Sequence, residues 1–274
     1  MRGRAIAIAA LAMPVIAGLG YMHGFGAPRS FLVVNAGALV LASAWIAVAP
    51  GPPPARGRRL LIAGALALLF APLLTGPALN GVARWVPLGP FQLHAGTIAV
   101  PALLVLAGKE PDHAPAILSA ALLAALLQPD MATAAALLLA AFGFYDARRD
   151  WRYGVFAAVA FVIALVAAMR GELPAQPFVE HVIWIVARTT PLLALGLIAS
   201  LLASFVLMLA VPHGNEASRK ALAGALVGFS FAGLVSNYPS VLIGYGAAPI
   251  LGFGLALGLL GREAERDPPS PGKT

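Results

Sequence analysis

The sequence contains no cysteine, which excludes disulfides, thiolate nucleophiles and cysteine-ligated metal sites. Charge is scarce as well. Only 11% of the 274 residues are Asp, Glu, Lys or Arg, less than half of the roughly 25% that a soluble domain carries. Histidine occurs five times, at His23, His94, His113, His181 and His213, and no pair shows a metal-ligand spacing. There is no Walker loop, dinucleotide fingerprint or zinc-protease motif, so no cofactor is implied. Neither an internal repeat nor a soluble domain is visible.

What the chain has instead is apolar sequence in long blocks. Hydrophobic residues make up 60% of it, without the alternating or 3.6-residue patterns of a half-buried surface. A helix needs about 20 apolar residues to cross a bilayer. Blocks near 5–22, 31–48, 60–79, 92–106, 114–127, 131–145, 154–169, 181–211, 221–235 and 241–260 predict an all-α polytopic membrane protein with about ten transmembrane helices. The first block resembles a signal-peptide core, but the nine that follow favour an uncleaved span. Residues 1–261 form one transmembrane domain in this reading. The polar, proline-bearing segment 262–274 is a disordered cytoplasmic tail.

The net charge of +7 does not point to nucleic acid, because the basic residues sit in short loops between apolar blocks. With the N-terminus in the cytoplasm, fourteen Lys and Arg residues fall on the inner side. Only Arg29, Arg84 and Arg170 fall outside. That asymmetry predicts both termini in the cytoplasm of a cell whose inner membrane the chain spans.

A few polar residues stand out. On the outer side, just before the fourth block, runs Asn80-Gly81-Val82-Ala83-Arg84-Trp85-Val86-Pro87-Leu88-Gly89-Pro90-Phe91. Arg84 could hold a phosphate or carboxylate by paired hydrogen bonds. Together with Trp85 it could also be an interfacial anchor, the reading that composition favours. Between the fifth and sixth blocks lies Gln128-Pro129-Asp130, either a tight outer turn or a helix broken at a cavity. Asp130 there is a natural N-cap for the helix that follows. Arg188 falls within the eighth block, where an ionisable residue marks a site unless it snorkels to the interface. Glu180 and His181 open that block, a carboxylate beside an imidazole that could do acid–base work or form a solvated boundary. The Gly254–Gly258 spacing reads as close helix packing.

Taken together, these segments resemble the SEDS family of cell-division and cell-shape membrane proteins. The family pattern NGxRRWxxLGPFxxQPSE is met without a gap by Asn80, Gly81, Arg84, Trp85, Leu88, Gly89, Pro90 and Phe91. A second motif, QPDLGT, is met by Gln128, Pro129, Asp130 and Thr133. A third, ISYGGSS, resembles Ile243-Gly244-Tyr245-Gly246-Ala247-Ala248-Pro249. The three occur in the family's order and in matching spans. The resemblance implies ten spans and a role in peptidoglycan biosynthesis. It implies that the chain polymerises or handles lipid II on the outer membrane face beside a class B penicillin-binding protein. It makes Arg84, Trp85, Asp130 and Arg188 substrate-binding candidates and Glu180 and His181 catalytic ones.

The departures from the family also carry information. In place of QPSE stand His94, Ala95, Gly96 and Thr97, and the lysine that follows in the family is Val100. The large outer loop after the seventh span shrinks to about 170–180. His181 occupies the position of the family's catalytic aspartate, and Thr189 and Thr190 replace a glutamate pair. These losses favour, as the alternative, a catalytically inactive scaffold that binds a cell-wall partner, ahead of a transporter of lipid-linked precursors.

Overall fold

The structure is a computed structural model, and it describes residues 2–78, 81–89, 91–170 and 173–261. Among these are twelve helices and one hairpin. The helices are α1 (Arg2–Gly24), α2 (Arg29–Val48), α3 (Ala55–Phe70), α4 (Pro72–Thr75), α5 (Ala95–Ala107), α6 (Ala114–Leu127), α7 (Met131–Arg148), α8 (Trp151–Arg170), α9 (Val182–Thr189), α10 (Pro191–Ala210), α11 (Glu216–Val235) and α12 (Ala247–Leu259). The hairpin pairs β1 (Trp85–Leu88) with β2 (Phe91–His94). Every apolar block contains a helix. Five segments are long and apolar enough to cross a membrane: α1, α2, α3 with α4, α8 and α10. Large apolar side chains such as Val33, Leu74, Met169 and Leu192 face outward, as expected where lipid rather than water surrounds the bundle. The fold is therefore that of a helical multi-pass membrane protein. Residues 262–274, read from sequence as a disordered tail, lie outside the described residues.

Lipid gives apolar side chains little reason to leave it, so helices associate here through close backbone approach. At the contact of α7 with α11, a Cβ on Gly224 or Gly228 would strike the backbone of Leu139 or of Ala135 and Ala136. Gly143 lies equally close to the backbone of Lys220. The Gly254–Gly258 pair of α12 instead makes room for side chains of α2, the Ala42 methyl and the Trp45 indole. At the opposite end from the hairpin, Glu110 is buried and receives the Arg58 guanidinium at 2.6 Å, with Arg59 at 3.8 Å. The Arg58 hydrogen bond holds the Glu110 carboxyl below the usual carboxylate range.

Three of the boundaries that differ from the sequence reading do so for a clear local reason. The fourth apolar block was to begin at Gln92, but residues 92–94 belong to β2, and the helix begins at Ala95. The eighth block, 31 residues read as a single span, is divided at Thr190, because Pro191 starts a new helix as its N1 residue. The last block was to begin at Val241, yet α12 starts only after Gly246. Ahead of it, Leu242 and Gly246 adopt positive φ, and Asn35 of α2 satisfies the loop backbone. Its amide donates to the Gly244 carbonyl at 2.9 Å, and its oxygen accepts from the Gly246 N–H at 3.0 Å.

Candidate functional site

Four connections meet at one end of the bundle: the β-hairpin, the turn between α6 and α7, the loop between α8 and α9, and the loop between α11 and α12. Backbone hydrogen bonds lace the last two together. The Ser240 N–H donates to the Val179 carbonyl at 2.8 Å, and the Tyr245 N–H to the Phe178 carbonyl at 2.7 Å. In the hairpin, Trp85 pairs with His94, and the Ala95 N–H continues the ladder to the Arg84 carbonyl at 3.1 Å. Arg84 is thereby drawn inward. Its side chain is 2% exposed, its guanidinium lies 4.8 Å from the Trp85 ring and 4.3 Å from the Tyr238 ring, and its Nε and Nη1 atoms have no hydrogen-bond partner. Leaving such donors unpaired away from water costs about 1–3 kcal/mol or more when charged, so a guanidinium in this position is suited to receiving an anion.

Asp130 caps α7 as the sequence predicts. Its carboxylate accepts from the Thr133 N–H at 3.1 Å and the Thr133 hydroxyl at 2.6 Å. Tyr238 closes the same turn, since its hydroxyl accepts from the Met131 N–H at 2.9 Å. Burial, with Asp130 nearby, pushes the Tyr238 hydroxyl up to about 12, so it stays protonated. His94 is the N-cap of α5. Its Nδ1 accepts from the Thr97 N–H at 3.3 Å, and its Nε2 lies 3.5 Å from Asp130 Oδ2. Gly96 makes room for this meeting: a Cβ there would collide with the Thr133 hydroxyl.

An open cleft of about 1120 Å³ runs beside this cluster, and Trp85, His94, Glu180 and Tyr245 line it. Tyr245 stacks on Phe31, with centroids 3.7 Å apart and planes at 9°, which fixes the ring at the cleft wall. Glu180 is half-buried and held by a backbone bridge to Pro239. Burial pushes its carboxyl above the ordinary glutamate range, while the Gln176 N–H and the Arg84 charge pull the other way. A carboxylate in a cleft with a raised proton affinity has the properties of a general base.

The six residues singled out in the sequence therefore separate. Arg84, Trp85 and Asp130 come together, and Glu180 faces the cleft that Trp85 lines. His181 adjoins it but is turned to Asn237, with Nε2 to Oδ1 2.5 Å, and has a left-handed φ of 55°. Because the Asn237 amide nitrogen donates to the Leu173 carbonyl, its oxygen accepts from His181, and Nδ1 is left as the imidazole's acceptor. Arg188 does not join the cluster. It is exposed in the last turn of α9, before the break at Thr190. His94 and Tyr238 were not among the sequence candidates. The first stood out only as a departure from a family pattern, and the second gave no signal. Among the described residues no group of three His, Asp or Glu side chains could hold a metal ion.

No family model and no curated protein matches the sequence. Solved structures do match the fold. The crystal structure of the rod shape determining protein RodA of Thermus thermophilus superposes with a TM-score of 0.68 at 22% identity, covering 93% of this chain and 94% of that one. An aspartate-to-alanine mutant of that RodA gives 0.67 at 21% identity, covering 93% and 94%. A structure of a peptidoglycan synthase complex that coordinates polymerization and crosslinking gives 0.68 at 20% identity, covering 93% and 95%. The fold implied by the resemblance of its sequence motifs to the SEDS family is thus the fold observed, and the chain is a multi-pass membrane protein with the architecture of RodA.

Proposed function

We propose that this chain acts in peptidoglycan biogenesis in the inner membrane, binding lipid II in the cleft beside Arg84 on the outer face. A class B penicillin-binding protein is its partner in this reading, as the match to a peptidoglycan synthase complex supports. The topology has ten spans with both termini cytoplasmic, and it rests on the fourteen-to-three distribution of basic residues. The observation that carries the reading is the buried Arg84 guanidinium, two of whose N–H-bearing atoms lack an acceptor. A pyrophosphate supplies acceptors in the planar geometry that a guanidinium matches. Trp85 and Tyr245 offer rings on the cleft wall for the sugars.

In glycan polymerisation a sugar hydroxyl attacks the anomeric carbon of the donor and expels undecaprenyl pyrophosphate. Arg84 would stabilise the charge on that leaving group. Glu180 would take the proton from the attacking hydroxyl. One observation favours the scaffold alternative: His181, at the position of the family's catalytic aspartate, is tied to Asn237 and does not line the cleft. Native mass spectrometry of the purified protein with lipid II tests the binding reading. Wild type should carry the lipid and Arg84→Ala should lose most of it at an unchanged yield of folded protein. Equal occupancy in both would remove Arg84 from the site.

A further inference from the structure

We infer that His94 is a second donor of the oxyanion site at Arg84, so that a bound diphosphate is gripped by an imidazole N–H as well as by the guanidinium. The inference rests on the proposed anion-binding role of Arg84, but it concerns a residue for which the family pattern has glutamine. The geometry fixes what the ring can do. Nδ1 is occupied as the acceptor of the Thr97 N–H at the start of α5, so the neutral imidazole carries its proton on Nε2. That nitrogen faces Asp130 Oδ2 from 3.5 Å, beyond a proper hydrogen bond. Asp130 is held instead by Thr133, accepting from its N–H at 3.1 Å and its hydroxyl at 2.6 Å, and the 3.5 Å gap leaves the contact with His94 unclosed. The His94 N–H is therefore left without an acceptor although the side chain is only 4% exposed.

Arg84 leaves Nε and Nη1 in the same condition. The two residues lie across one hairpin, both in contact with the Trp85 ring, which is perpendicular to the His94 ring at 6.2 Å and 4.8 Å from the guanidinium. Native structures leave few buried donors unsatisfied. Three from two adjacent side chains, one of which lines the cleft, call for an acceptor-rich group. A diphosphate spreads its acceptor oxygens over two phosphoryl groups and so can serve both residues at once. The diphosphate could arrive on a polyprenyl lipid or free in solution.

The experiment measures binding of inorganic pyrophosphate and of undecaprenyl pyrophosphate to the full chain in nanodiscs, using wild type, His94→Leu, His94→Met, His94→Gln and Arg84→Ala. Monodispersity and melting temperature are followed for each, so that whichever of the two apolar variants folds is used. Loss of one hydrogen bond to a charged ligand should weaken the apolar variant about tenfold or more. Glutamine keeps an N–H donor and should bind within about threefold of wild type. Unchanged affinity in the apolar variant, with Arg84→Ala weakened, would overturn the role of His94 and leave the Arg84 site standing. Equal loss in His94→Gln and the apolar variant would reduce His94 to a packing role and overturn the inference as well. Binding of inorganic pyrophosphate with the expected His94 dependence, but none of the lipid, would uphold the donor pair and overturn the lipid II reading. If wild type bound neither, both would fall.

Discussion

His94 and Asp130 meet at 3.5 Å, Nε2 to Oδ2, where the first turn of α5 touches the first turn of α7. Each caps its own helix, and the meeting is possible because Gly96 has no side chain to collide with Thr133. Two helix starts, the hairpin and the Tyr238 loop are thereby fixed relative to one another, and Arg84 is held among them. The rigidity of the site comes from these caps and loop hydrogen bonds, and the apolar helices supply only the frame.

Topology is the broadest expectation. Phosphatase and fluorescent-protein fusions at Gly57, Arg149 and the C-terminus should read cytoplasmic, and a fusion at Arg84 should read outer, following the distribution of basic residues. An outer signal at Arg149 would break the ten-span arrangement.

Arg84→Lys should restore little of the lipid II binding lost in Arg84→Ala. Lysine presents a point charge without the planar fork, and its ammonium, being more strongly hydrated, is held less well between the Trp85 and Tyr238 rings. Recovery of more than about a third of the wild-type occupancy by lysine would mean that charge alone is recognised.

Asp130→Ala removes the cap of α7 and two acceptors used by Thr133. Losing an aspartate cap costs about 0.5–2 kcal/mol, so the melting temperature in detergent should fall by a few degrees. Asp130→Asn, which still offers an acceptor to the Thr133 N–H, should lie between. An Asp130→Ala protein as stable as wild type would show that the cap contributes nothing to the fold.

Glu180 sets a dependence on pH. Burial raises its proton affinity above the ordinary value of 4.5, so the fold favours the neutral carboxyl. Its contribution to stability is therefore complete below pH 4.5 and is lost as pH rises through the raised value in the folded protein. Glu180→Gln should flatten the accompanying decline in melting temperature above pH 4.5. A decline of the same steepness in the variant would locate the titrating group elsewhere.

The purified chain alone should not make long glycan strands from labelled lipid II. The short sequence between α8 and α9 leaves little chain to enclose the site or position an acceptor strand, and positioning supplies a large part of the barrier reduction in such reactions. Gel-resolved synthesis with and without a co-expressed class B penicillin-binding protein measures this. Long strands from the chain alone, abolished by Glu180→Ala or by His181→Ala, would establish turnover and name the base.

The sequence by itself determined the class of the molecule. Long apolar blocks without periodicity can be stable only as helices in lipid, where every backbone group must be paired within the chain. The Asp130 cap, the proline break potential and the motif resemblance to the SEDS family were legible for the same local reason, because each depends on residues a few positions apart. The tertiary structure decided the site. Which of Arg84, Asp130, Glu180, His181 and Arg188 come near one another depends on how four distant loops meet, and no spacing along the chain encodes that. His94 lies opposite Trp85 because a hairpin forms where an apolar stretch reads as the start of a span. Tyr238 reaches the turn before α7 across the α7–α11 contact, where Gly143, Gly224 and Gly228 let the two backbones approach closely. Arg188, the most conspicuous charge in the apolar sequence, is left at the surface, because Pro191 ends α9 one turn after it.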